Sequence, residues 1–226
     1  MNEPGTSGTG TSGADAGVGV GATTDPSGPG TVRRRPGGRA ARVREAVLTA
    51  ALDLLAEEGL ARLTVARVAA RAGVNETTVY RRWGSREKLV LDAMLAGSDE
   101  GIPVPDTGAV RTDLADFARS LARYLATPTG RAVARAAALG SEDPGLADAW
   151  QAFWHSRLDQ AGTIVTRAVE RGELPPDTDA ALALELLCAP LQTRALLGHR
   201  PVGPELPERL AGLVLDGLRE RPSPRS

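Results

Sequence analysis

At 226 residues the chain has room for one or two small domains, and its hydrophobic fraction of 42% is ordinary for a globular protein. The apolar mass is mostly Ala and Leu, with only 3% aromatics, which favours packed helices over a β-sandwich. The net charge of −1 conceals an asymmetry: residues 31–95 carry 13 Arg and Lys against 7 Asp and Glu, whereas residues 96–226 carry 14 against 18. A basic front half points to a polyanion, and the acidic back half to a different task.

Cys188 is the only cysteine, so an intramolecular disulfide and a cysteine-based zinc site are excluded. It sits in the apolar run Ala183, Leu184, Leu186, Leu187 and reads as a small buried hydrophobe. The two histidines, His155 and His199, have no spacing that suggests a metal or catalysis. No cofactor and no metal are expected. No run approaches the ~20 consecutive apolar residues of a membrane span. The N-terminus lacks the basic start and apolar core of a secretory signal. A cytoplasmic protein with no membrane partner is expected.

Residues 1–38 read as a disordered tail ending in a basic arm. Gly, Thr, Ser, Ala, Asp and Pro dominate its first thirty positions, with no apolar period to offset ordering entropy. Arg33, Arg34, Arg35 and Arg39 surround Pro36-Gly37-Gly38, which fits a solubilising tail or an arm reaching DNA phosphates or the minor groove. Helix one is predicted over 39–58, where Val43, Val47, Ala51, Leu54 and Leu55 recur at three- and four-residue steps before Gly59. Helix two follows over 65–72 with Thr64 as N-cap, then a turn at Gly73-Val74-Asn75. Helix three runs over 76–83, capped by Asn75, and helix four from Ser85 to about Ala96.

Residues 97–109, with Gly, Ser, Asp, Pro103 and Pro105, read as a linker. Five more helices are predicted at about 110–126, 128–139, 144–171, 178–197 and 204–219, which makes about nine in an all-α protein. Pro190 is expected to kink or split the fourth of these.

The segment 64–83 carries the chemistry. Ala69 is small enough for two helices to approach, Gly73 four residues later permits a left-handed turn, and Val79 six residues further plugs the corner. Val65, Val68 and Val74 complete the inner face. That spacing is what a helix-turn-helix requires. The outer face of helix three then offers Glu76, Thr77, Thr78, Tyr80, Arg81 and Arg82. Guanidinium groups can pair with guanine, and a Thr methyl can meet a thymine methyl. Thr64 and Ser85 open helices whose free N–H groups favour a phosphate. Arg67 and Arg71 fit a solvated face as well as a DNA contact, and Tyr80 and Trp83 fit packing as well as contact.

The run from Leu63-Thr64-Val65 through Gly73-Val74-Asn75-Glu76-Thr77-Thr78-Val79-Tyr80-Arg81-Arg82-Trp83-Gly84-Ser85-Arg86-Glu87-Lys88-Leu89 resembles the DNA-binding domain of TetR-family regulators. The family places a tyrosine near the end of the recognition helix, then an aromatic, a short turn and a basic residue opening helix four. Tyr80, Trp83 and Arg86 fill those places, with Trp where Phe is usual and Arg where Lys is usual. The specific match spans about residues 40–96. The back half shares length and helix count, with its nearest likeness around Arg171-Gly172-Glu173-Leu174-Pro175-Pro176-Asp177-Thr178-Asp179.

The resemblance implies a DNA-binding domain at 39–98, an effector-binding and dimerisation domain at 99–221, and a tail at 222–226. It implies contacts to a palindromic DNA operator from Arg39, Thr64, Asn75, Glu76, Thr77, Thr78, Tyr80, Arg81, Arg82, Trp83, Ser85 and Arg86. It also implies a homodimer through the last two long helices. Leu182, Leu186, Leu187 and Leu191, and then Leu206, Leu210, Leu213, Val214 and Leu218, lie at helical spacing that suits either such a dimer or the monomer core.

A small-molecule pocket in the second domain is implied too, with Phe117, Tyr124, Trp150, Phe153, Trp154, His155 and Gln192 as lining. Trp150, Phe153 and Trp154 at i, i+3 and i+4 suit a helix core equally well. The expected function is a repressor released from its operator by an unknown effector. A constitutive regulator or an activator without a ligand is the alternative. An enzyme is not expected, because no catalytic triad order, phosphate loop or metal cluster is present in the sequence.

Overall fold

The computed structural model describes residues 38–139, 145–198 and 201–219, together with Met1. The basic arm at Arg33–Arg35, His199 and the tail at 222–226 lie outside the described residues. Nine α-helices appear among the described residues: α1 Gly38–Glu58, α2 Val65–Ala72, α3 Glu76–Trp83, α4 Arg86–Gly101, α5 Val110–Ala126, α6 Pro128–Leu139, α7 Ala147–Glu170, α8 Ala180–Leu197 and α9 Leu206–Arg219. A single 3₁₀ turn at Leu60–Arg62 joins α1 to the extended residues before α2.

The short front helices end where their caps dictate. Thr64 Oγ1 accepts from Arg67 N, Asn75 Oδ1 from Thr77 N and Ser85 Oγ from Lys88 N. Gly73 takes φ 66°, and the amide of Val74 reaches back to Ala69 O, so the left-handed turn closes α2 as its glycine requires.

Two differences from the sequence expectation stand out. First, α4 does not stop near Ala96 but continues to Gly101. Gly97 and Gly101 look like helix breakers in isolation; here they lie against the Tyr124 side chain of α5. A Cβ on Gly101 would sit 2.2 Å from Tyr124 Cδ2, and one on Gly97 2.9 Å from Leu52 Cδ1 of α1 and 3.4 Å from the Tyr124 hydroxyl. The glycines let two helices touch and do not end one. Second, α8 runs through Pro190 unsplit. The carbonyl that Pro190 cannot answer belongs to the exposed Leu186.

Two apolar cores result. The first gathers Val47, Ala51, Leu54 and Leu55 of α1, Val65, Val68 and Ala69 of α2, Val79 and Trp83 of α3, and Leu89, Val90 and Met94 of α4. It also takes Val133 and Ala136 of α6 and Trp150 and Phe153 of α7, so the front helices are seated on the second domain by apolar packing. The second core joins α5, α7, α8 and α9 through Leu114, Phe117, Ile164, Leu184, Leu187, Leu191 and Leu215. Each such side chain, fully withdrawn from water, contributes roughly 1.5–3 kcal/mol before entropy is charged against it.

α8 is long and apolar enough, by composition alone, to pass for a membrane span. Glu185 and Arg194 interrupt it, and most of its surface is not buried in the chain.

Candidate nucleic-acid interface and interior cavity

α2 and α3 meet around Gly73, with Val68, Ala69 and Val79 each at 1% exposure or less in the angle between them. This leaves one side of α3 outside. Glu76, Thr77, Tyr80, Arg81 and Arg82 are exposed, Tyr80 at 50%, and Thr78 is half-buried. Arg39 is exposed on the first turn of α1. Arg82 lies with its guanidinium 5.5 Å from the centre of the Trp83 ring.

Several expected contact residues have a structural partner. Trp83 is 7% exposed, and its indole Nε1 donates to Asp92 Oδ2 at 2.9 Å. The other oxygen of Asp92 accepts from Arg44 Nη2 at 2.5 Å. One carboxylate of α4 therefore ties the end of α3 to α1. Arg86 Nε donates to Leu63 O at 2.7 Å and its Nη2 to Leu60 O at 2.8 Å, which braces the 3₁₀ turn against the start of α4. Thr64, Asn75 and Ser85 are occupied as caps.

Arg67 and Arg71 reach back to the end of α1, where Arg67 pairs with Glu58 and Arg71 with Glu57, the latter at 2.6 Å. These bonds hold both carboxyls below the usual Glu range. Asp92 and Arg44 escaped the sequence reading, because nothing local marks a pair 48 residues apart.

Behind this unit lies a cavity of about 460 Å³ bounded by α4, α5, α6, α7 and α8. Phe117, Tyr124, Phe153, Trp154 and Gln192 line it, as the sequence suggested. Trp150 and His155 do not. Trp150 is 5% exposed and packs into the first core, while His155 is exposed with its ring Nδ1 2.9 Å from Gln151 O. Phe153 joins the same core as Trp150 and also lines the cavity, whereas Trp154 belongs to neither core and is 37% exposed, a division that the spacing i, i+3, i+4 does not announce. The sequence reading missed Arg157, Ser98 and Cys188. Arg157 is 8% exposed and donates to Asp99 Oδ1 at 2.6 Å, Gln160 Oε1 at 2.8 Å and Ile102 O at 3.2 Å. It thereby fastens α7 to the end of α4. Burial pushes the Cys188 thiol up to about 12, against a weaker opposing pull from Arg157.

Exposed hydroxyls and guanidiniums on a helix cantilevered over a glycine turn, above an all-helical body, define a helix-turn-helix DNA-binding regulator. Bacterial regulatory proteins of the tetR family match residues 47–93, and a Tetracyclin repressor-like C-terminal domain matches residues 104–214. The HTH-type transcriptional regulator AqdR of Rhodococcus erythropolis is 34% identical over 194 residues, 86% of this chain and 92% of that protein. The DNA-binding transcriptional repressor TetR of Mycobacteroides abscessus is 33% identical over 180 residues, 76% of this chain and 90% of its own. The solved TetR-family transcription regulator SCO0332 superposes with a TM-score of 0.67 at 32% identity, over 79% of this chain and all of its own.

The chain belongs to the TetR family of transcriptional regulators. It is a DNA-binding regulator and not an enzyme, and the family binds DNA operators and dimerises.

Proposed function

We propose that the protein is a homodimeric repressor that holds a palindromic operator and releases it when a small molecule enters the cavity. The observation that carries this is α4. Its second turn is bolted to the recognition helix through Asp92 and Trp83, and at its far end Ser98 and the capping Ile102 line the cavity while Asp99 holds the lining residue Arg157. At 1.5 Å per residue, the 6–10 residues from Asp92 to Ser98 and Ile102 put the two sites about 9–15 Å apart along one helix. An effector that favours a shifted α4 would move both recognition helices and lower operator affinity by its differential binding to the two states.

Thr77, Thr78, Tyr80 and Arg81 are the side chains placed to read bases. Arg39, Glu76 and Arg82 flank them, and the openings of α2, α3 and α4 at Thr64, Asn75 and Ser85 face phosphates with their free N–H groups. Trp83 and Arg86 act by fixing α3 and α4 in place.

Dimerisation is supported by a stripe of leucines that the chain itself leaves uncovered: Leu182 is 50% exposed, Leu186 54% and Leu213 68%. A second copy laid α8 to α8 and α9 to α9 buries that stripe, and two short recognition helices then discriminate far better than one. A cytoplasmic location follows from the DNA it serves.

The test is fluorescence anisotropy with duplexes from the region upstream of the protein's own gene, against random duplex, across a salt series. Specific duplex should bind at least 10³-fold more tightly, with a steep loss on raising salt. Equal binding of specific and random DNA overturns the proposal.

A further inference from the structure

We propose that the groove between α5, α6 and the α8–α9 connection binds a small polyphosphate, a molecule carrying two or more linked phosphate groups. The groove encloses about 820 Å³, room for a nucleotide, and shares Leu125 alone with the effector cavity among the described lining residues. Four guanidiniums line it: Arg119 and Arg123 of α5, Arg131 of α6 and Arg194 of α8. Among the described residues no Asp or Glu lines it. Residues 96–226 carry 14 Arg and Lys against 18 Asp and Glu, so this gathering of cations runs against the charge of its own domain.

These arginines are held in place without being neutralised. Arg123 Nη2 donates to Ser120 Oγ at 3.0 Å, Arg131 Nη1 to Ala126 O at 2.5 Å and Arg194 Nη1 to Pro201 O at 3.1 Å, all of them neutral oxygens. A guanidinium has five N–H donors, so each keeps several for a ligand. Arg119 pairs with Asp116 at 2.5 Å, one turn back on α5. The carboxyl ends of α5 and α8 reach the groove at Ala126 and Gly198 and offset about half a charge each. Four positive charges, less Asp116 and these two helix ends, leave a surplus of about two.

Such a surplus is unfavourable without an anion. Arg119 and Arg123 stand four residues apart on α5, a spacing at which like charges destabilise a helix. Arg131 and Arg194 add two more charges from other helices, and both are half-buried, where solvent screens them less. A phosphate group takes guanidiniums in forked pairs on its several oxygens. Two or more linked phosphates therefore answer cations spread over three helices, whereas a single carboxylate answers one. The concave shape suits a compact molecule better than the extended backbone of a duplex. Ala195 on the lining stands about two and a half turns beyond Leu186, on the opposite face of α8, so a dimer made through the leucine stripe leaves this face free.

The test is isothermal titration calorimetry on the full-length protein in low-salt buffer free of phosphate and metal ions, with ATP, tripolyphosphate and adenosine as probes. Both polyphosphates should bind, and adenosine about 100-fold more weakly than ATP or worse. Arg123→Gln and Arg194→Gln should each weaken both polyphosphates about 10-fold or more, the loss of a charge-assisted contact. Arg81→Ala on α3 should leave them within about 2-fold. Glutamine keeps a donor for Ser120 and Pro201 and removes one like charge, so the melting temperature of each variant without ligand should hold or rise, which separates a lost contact from a lost fold. An excess of random-sequence duplex should not displace ATP. Adenosine binding as tightly as ATP, no binding of either polyphosphate, affinities unchanged in Arg123→Gln and Arg194→Gln, an equal loss in Arg81→Ala, or displacement of ATP by duplex overturns the proposal and leaves the DNA-binding and effector readings standing.

Discussion

Removing the carboxylate of Asp92 should destabilise the protein mainly through a residue it does not resemble, Trp83. In Asp92→Ala the indole N–H, 2.9 Å from its acceptor on a side chain 7% exposed, is left without a partner in a buried site. Leaving such a donor unpaired costs about 1–3 kcal/mol. The Arg44 pair is lost too, but its side chains are 39% and 32% exposed, so solvent screening reduces it to roughly 0.2–1 kcal/mol. The sum is about 1–4 kcal/mol, and at this chain length each kcal/mol lowers Tm by about 2–4 °C. Thermal and urea unfolding of Asp92→Ala, Trp83→Phe and the double variant separate the two contributions. With Phe at 83 no donor remains, so Asp92→Ala should then cost only the ion pair, and the coupling should be about 1–3 kcal/mol. An equal cost of Asp92→Ala in both backgrounds would refute the assignment of Asp92 as the anchor of α3.

Three further outcomes are expected. Thr77→Ala and Tyr80→Ala should each weaken operator binding by about 5- to 150-fold, following the 1–3 kcal/mol of a base contact, with unfolding midpoints unchanged because both side chains are exposed. Gly101→Ala should destabilise by about 1–3 kcal/mol, since its methyl would lie 2.2 Å from the Tyr124 ring, whereas Gly217→Ala, with nothing within 4 Å in α9, should stabilise by about 0.5–1 kcal/mol; paired denaturant titrations decide both. Leu186→Glu should shift the sedimenting species from dimer towards monomer while the helical circular dichroism of each chain persists, and an unchanged dimer would remove α8 from the interface.

What was legible in the sequence was local. Thr64, Asn75 and Ser85 cap the helices that follow them, and Ala69, Gly73 and Val79 fix the angle between α2 and α3. Each acts within a few residues of its place in the chain, so spacing alone reveals it. What was not legible depended on distant partners. Gly97 and Gly101 look like the start of a linker until Leu52 of α1 and Tyr124 of α5 are laid against them, and α4 extends to Gly101. Trp150 and Trp154 lie one turn apart on α7, yet Trp150 is buried in the first core and Trp154 is 37% exposed on the cavity lining, which spacing alone does not announce. Arg157 looks like one more arginine among many; its function of clasping α4 depends on Asp99, 58 residues away. Arg86 donates to the carbonyls of Leu60 and Leu63, contacts set by the 3₁₀ turn that no local pattern announced.

The most direct measurement of the central claim is selection of duplexes from a random library by the full-length protein, followed by sequencing of the bound fraction. The account predicts one enriched half-site joined to its own inverted repeat at a fixed spacing, with the motif lost in Thr77→Ala/Tyr80→Ala. A bound fraction no different in sequence from the starting library would contradict it.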